Sequence, residues 1–135
     1  MFPRITVIND SIEFLDLARD ILNDAGYAVT TYSGDDLTVA GLRATQPDLV
    51  LLDLRLKTPT REMSGWEFLL LMRGDAALDS VPIVVCTADA TALHERETEL
   101  RDVAHAFVIR KPFDVPEFEA TIARALEYRA GVADA

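Results

Sequence analysis

The chain has 135 residues, half of them hydrophobic, and a formal net charge of −10. That length suits one compact domain with a real core, and the composition excludes a disordered chain. The acidic balance argues against nucleic acid as a direct partner, and it sets a field in which clustered carboxylates attract a cation.

The chain opens Met1-Phe2-Pro3-Arg4-Ile5, without the charged-then-apolar pattern of a secretory leader. No apolar segment reaches the roughly 18 residues of a membrane span, so a cytoplasmic protein with no membrane contact is expected. Arg4 to Asn9 is short and β-branched, which predicts a first strand. From Ser11 to Ala25 the apolar positions Phe14, Leu15, Ala18, Ile21, Leu22 and Ala25 recur at helical spacing. Gly26 then reads as a helix stop. Tyr27 to Tyr32 predicts the second strand. Ser33 and Asp36 suggest a capping box for a second helix that ends before Pro47.

Asp48 to Asp53 is a continuous apolar run flanked by carboxylates, as in a strand buried on both faces. A polar loop spans Arg55 to Met63. Ser64 and Glu67 form a second capping-box pattern, opening a third helix through Arg73. Val81 to Cys86 predicts the fourth strand, with Pro82 near its start. Cys86, the single cysteine, lies in that apolar run and reads as a buried structural thiol. A fourth helix over Ala90 to Asp102 has a thin stripe, Leu93 and Leu100 separated by Arg96, Glu97 and Glu99. Ala106 to Arg110 predicts the fifth strand. Asp114 caps a final helix with Pro116 in its first turn and Phe118, Ile122, Ala125 and Leu126 on one face. The domain is expected over 1–129, with 130–135 a frayed tail.

Strands alternating with helices imply an α/β fold: a five-stranded parallel sheet, flavodoxin-like (βα)5, in the order 2-1-3-4-5. Ligands of such sheets bind beyond the carboxyl ends of the strands. Those ends carry Asn9-Asp10, Asp53, Thr87-Ala88 and Lys111-Pro112. Two carboxylates at close range repel each other unless a cation lies between them, and Mg²⁺ suits one or two carboxylates plus phosphate oxygens. The Lys111 ammonium, the Thr87 hydroxyl and the Ala88 N–H could then stabilise phosphoryl transfer onto a carboxylate.

These residues carry a resemblance. Asn9-Asp10, Asp53, Cys86-Thr87-Ala88 and Lys111-Pro112-Phe113, in this order and each at a predicted strand end, resemble the receiver domain of two-component response regulators over nearly the whole chain. The resemblance implies a CheY-like phosphorelay switch rather than an enzyme. Asp53 would accept a phosphoryl group from a sensor histidine kinase or phosphotransfer protein. Mg²⁺ would be held by Asp10, Asp53 and the main-chain carbonyl of Arg55, with Asn9 contacting it through water. Thr87 would move toward the phosphoryl group, and the face of the fourth helix, fifth strand and final helix would signal to an effector protein. With no output domain after the final helix, the signal is expected to pass to another molecule. A second copy of the chain, forming a homodimer, is a further candidate partner.

Three features depart from the family pattern. Asn9 stands where an acid is usual, which predicts weaker Mg²⁺ binding. The loop after Asp53 is longer than usual by about four residues, and such length is often functional. It reads as a solvated insertion, a partner contact, or a clamp in which Arg55 meets Asp89. The switch aromatic three residues before the lysine is replaced by Val108; Phe107, one place earlier, is core or is brought into position by a bulge. His94 and His105 are isolated, Trp66 reads as packing, and Glu95, Glu97 and Glu99 read as a solvated helix surface. The principal alternative is a receiver-like binding module that is not phosphorylated. An aspartyl phosphatase would want a second aspartate at position 55, and a flavin protein would want a phosphate-cradling loop in place of Asn9-Asp10-Ser11.

Overall fold

The structure is a computed structural model, and it describes residues 2–33, 37–54, 65–102 and 106–134, with side chains through 128 apart from that of residue 102. Five strands, β1 (Arg4–Ile8), β2 (Ala28–Tyr32), β3 (Leu49–Leu52), β4 (Ile83–Thr87) and β5 (Phe107–Arg110), form one parallel sheet in the order β2-β1-β3-β4-β5. The helices between and after them are α1 (Ile12–Asp24), α2 (Val39–Ala44), α3 (Gly65–Arg73), α4 (Ala90–Glu95), α5 (Glu97–Asp102) and α6 (Val115–Asp134). This is the predicted flavodoxin-like order. No helix among the described residues is long and apolar enough to cross a membrane.

The period-2 alternation of the strands feeds two cores. Ile5, Val7, Leu49, Leu51, Val84, Cys86 and Ile109 join Leu15, Ala18, Ile21 and Leu22 of α1 and Phe118, Ile122 and Ala125 of α6. Ile8, Val50, Leu52, Ile83 and Val85 face the other way, toward Leu42, Phe68, Leu69, Met72, Leu93 and Leu100. The central strands β3 and β4 are buried at every residue, which is why their sequences read as continuous apolar runs.

Helix ends follow local chemistry. Ser11 caps α1, its Oγ accepting the N–H of Phe14 at 3.2 Å. Gly26 stops the helix at φ +95, with the N–H of Tyr27 returning to the Leu22 carbonyl. Asp114 caps α6 through the N–H of Glu117 at 2.7 Å.

Several boundaries differ from expectation. The second helix begins at Val39 and is capped by Thr38, whose Oγ1 accepts the N–H of Gly41 at 2.9 Å; the cap is not Ser33. Asp36, the other half of the expected box, lies outside the described residues, as do Ser64 and the 55–63 loop. β4 begins at Ile83 rather than Val81: the Pro82 carbonyl still accepts the N–H of Val50, but proline has no N–H to donate to a neighbouring strand. The predicted fourth helix is two short helices that break at Arg96. There the guanidinium lies 4.8 Å over the Trp66 ring and 3.4 Å from Glu99. Leu93 and Leu100, the two residues of the thin stripe, are both buried, one from each half.

Candidate functional site

The parallel register brings the carboxyl ends of β1, β3, β4 and β5 side by side: Ile8 lies opposite Leu52, Leu52 opposite Val85, and Thr87 opposite Arg110. The residues that follow those ends must therefore share one crevice. Asp53 leaves β3 at its centre. Lys111 leaves β5, its backbone N–H bonded to the Thr87 carbonyl at 3.0 Å, and its Nζ stands 3.5 Å from Asp53 Oδ2. Asn9 leaves β1 and donates its side-chain amide to the same Oδ2 at 3.4 Å. The Asn9 carbonyl oxygen accepts the N–H of Ser11 at 2.8 Å, so both ends of that buried amide are engaged.

Thr87 is buried, and its hydroxyl oxygen accepts the N–H of Asp89 at 3.2 Å. Ala88 is exposed just beyond it. Asp10 is exposed at the end of β1. Arg55, the expected source of a metal-binding carbonyl and of a clamp on Asp89, lies outside the described residues, as does His105. Asp89, the proposed partner of Arg55, caps α4: its Oδ1 accepts the N–H of Ala92 at 2.9 Å.

The backbone beneath the carboxylate is tightly set. Gly65 opens α3 with its N–H on the Leu54 carbonyl at 3.1 Å, and a Cβ at position 65 would collide with the Asp53 carbonyl oxygen. Glycine is required there by close approach. Sequence reading missed this role, although the glycine immediately before a helix-period apolar run was a usable signal.

Among the described residues no group of three or more His, Cys, Asp or Glu is placed to hold a metal ion. The chemistry of the donor set nonetheless fits a hard cation: Asp10 and Asp53 offer carboxylate oxygens at neighbouring strand ends, and Mg²⁺ takes one or two carboxylates and keeps waters.

Phe107 is core. β5 pairs with β4 without interruption from Phe107 to Arg110, so no bulge rotates it, and its ring packs 5.8 Å from Tyr128. Val108 and Arg110 face the other side, where they line a cavity of about 420 Å³ with Leu93, His94, Leu100 and Arg101. Trp66 is buried packing, as expected. Cys86 is a free, buried thiol whose pKa burial pushes up to about 12, an inert rather than nucleophilic environment.

Residues 5–123 match the family model of the response regulator receiver domain. The polar-differentiation response regulator DivK of Brucella ovis is 32% identical over 124 residues, covering 90% of this chain and 94% of that protein. Among solved structures, the chemotaxis protein CheY4 of Vibrio cholerae superposes with a TM-score of 0.78 at 25% identity, covering 93% of this chain and 99% of that one. The receiver domain of the sensor histidine kinase PA1611 from Pseudomonas aeruginosa shares the fold with a TM-score of 0.76 at 24% identity, covering 94% and 99% of the two chains; that structure holds a magnesium ion coordinated in its active-site cleft.

Proposed function

The chain belongs to the response regulator receiver domain family, and from that premise we propose that Asp53 is its phosphoacceptor. The observation that carries the reading is the ammonium of Lys111 at 3.5 Å from a partly buried Asp53 carboxylate, at the crevice where four strand ends meet. An Asp53 oxygen attacks the phosphorus of a phosphohistidine on a sensor histidine kinase or phosphotransfer protein. The O–P bond forms as the P–N bond breaks, and the imidazole nitrogen leaves with the electron pair. Lys111 balances charge on the phosphoryl oxygens. The Thr87 hydroxyl and the Ala88 N–H, at the carboxyl end of β4 beside β3, are the donors suited to the remaining oxygens. Asp10, Asp53 and the Arg55 carbonyl would hold Mg²⁺, with Asn9 reaching it through water; the ion supplies charge neutralisation between carboxylates and phosphate.

On this reading the protein is a cytoplasmic switch rather than an enzyme. Its modified state is read by an effector protein on the face of α4, α5, β5 and α6, with no direct nucleic acid contact. The cavity beside Val108 lies on that face, and α4 and α5 are short and broken, which suits an element displaced on signalling. A receiver-like binding module that is never phosphorylated is favoured by one observation, the Asn9 amide already bonded to Asp53. Incubation with acetyl phosphate, with and without Mg²⁺, separates the two by intact mass. One added phosphoryl group on the wild type, dependent on Mg²⁺ and lost in Asp53→Asn, supports the switch. An unchanged mass leaves the binding module.

A further inference from the structure

The Lys111 ammonium meets two groups of different kinds. One is the Asp53 carboxylate at 3.5 Å; the other is the face of Phe14, whose centroid lies 4.2 Å from Nζ. Phe14 sits in the first turn of α1, its backbone fixed by the hydrogen bond to Ser11 Oγ. Its ring is met edge-on by Phe113 at 6.4 Å and 87°, and Phe113 stacks at 5.0 Å on the fully buried Phe118 of α6. A chain of aromatic contacts thus runs from the core to the lysine.

Lysine is a point charge on a flexible four-carbon stem, and it needs something to hold it where its charge is used. A second carboxylate would hold it but would also neutralise it. An aromatic face attracts the ammonium through its quadrupole, most strongly where water is partly excluded, and leaves the charge whole. The Lys111 side chain is only 23% exposed, so the condition is met. Position 9 is an amide, so it brings no carboxylate to fix the ammonium.

We propose that Phe14 is a positioning residue, whose ring holds the Lys111 ammonium at Asp53 with its charge available to an incoming phosphoryl oxygen. This rests on Asp53 being the phosphoacceptor.

Phe14→Leu keeps an apolar side chain and removes the quadrupole, while Phe14→Tyr keeps both; Phe14→Met replaces the leucine variant if that one unfolds. Two readouts test the pair. In NMR spectra the Lys111 ε-methylene should be shifted upfield by the ring in the wild type and in Phe14→Tyr, and return to an ordinary lysine position in Phe14→Leu. Phosphorylation by acetyl phosphate at saturating Mg²⁺ should slow about three- to tenfold in Phe14→Leu and recover in Phe14→Tyr. An ordinary ε-methylene shift in the wild type overturns the contact. Equal rates for wild type and a folded Phe14→Leu, or a Phe14→Tyr as slow as Phe14→Leu, overturn the positioning role. If the wild type accepts no phosphoryl group at all, the phosphoacceptor reading fails separately, and the ring shift alone decides whether Phe14 places the ammonium.

Discussion

The side-chain amide of Asn9 donates to Asp53 Oδ2 at 3.4 Å while its carbonyl oxygen accepts the Ser11 N–H at 2.8 Å. An aspartate at position 9 could accept from Ser11 but could not donate to Asp53. It would instead place a second negative charge against the first. Asn9 and Lys111 reach the same Asp53 oxygen, so the carboxylate is compensated from two sides without any metal ion.

Asn9→Asp should therefore bind Mg²⁺ more tightly and be less stable without it. Adding a carboxylate beside Asp53 strengthens cation binding by about three- to tenfold, and losing the donor while adding repulsion costs on the order of 1 kcal/mol in metal-free buffer. Mg²⁺ titration followed by Trp66 fluorescence, with urea unfolding in the presence and absence of the ion, checks both effects. Equal affinities in the two proteins would remove the argument.

Gly65→Ala should destabilise the fold by about 1–3 kcal/mol, because the new Cβ meets the Asp53 carbonyl and the backbone cannot yield without moving the site. Gly74→Ala is the control: its Cβ would make ordinary contacts at 3.7 Å, and a change within about 0.5 kcal/mol is expected. Urea midpoints for the two variants should differ clearly. If they coincide, Gly65 is not held by close approach.

Much of this architecture was legible because it is local. The strands announced themselves as β-branched runs, and the double burial of β3 showed in Leu49–Leu52 as an unbroken apolar stretch. The convergence of Asn9, Asp53 and Lys111 followed from strand order alone. What could not be read depends on partners distant in sequence. The fourth predicted helix breaks at Arg96, whose guanidinium lies over Trp66 thirty positions away in the chain, and the Phe14 ring of α1 finds Lys111 at the end of β5. The misplaced cap of α2 has a different cause. The stretch from Ser33 to Thr38 holds several residue types able to cap a helix, and the cap falls on Thr38, the residue directly before Val39.

Thr38→Ala should consequently cost about 1 kcal/mol, since its Oγ1 accepts the Gly41 N–H at the start of α2. Ser33→Ala should change stability by a few tenths of a kcal/mol at most, as expected of a residue outside the cap. Parallel thermal denaturation of the two variants distinguishes the positions. A larger loss in Ser33→Ala would restore Ser33 as the cap.

Cys86 gives the chain an alkaline weakness. Burial raises its pKa from 9.0 to about 12, with the nearby Asp53 charge adding to the rise and Lys111 opposing it. Above pH 9 the unfolded thiol loses its proton while the folded one keeps it. The native state then binds more protons than the unfolded state, and stability falls as pH rises. The contribution is complete below pH 9 and is lost progressively toward pH 12, at up to about 1.4 kcal/mol per pH unit. Cys86→Ala removes the titrating group, although it leaves a small cavity and lowers stability at every pH. The quantity to follow is thus the difference between the two proteins in urea unfolding from pH 8 to 10.5. The wild type should lose its advantage as pH climbs, because the thiol buried against β3 and β5 resists the ionisation that the unfolded chain permits. A difference that stays constant across that range would place Cys86 in contact with water, contrary to its position in the core.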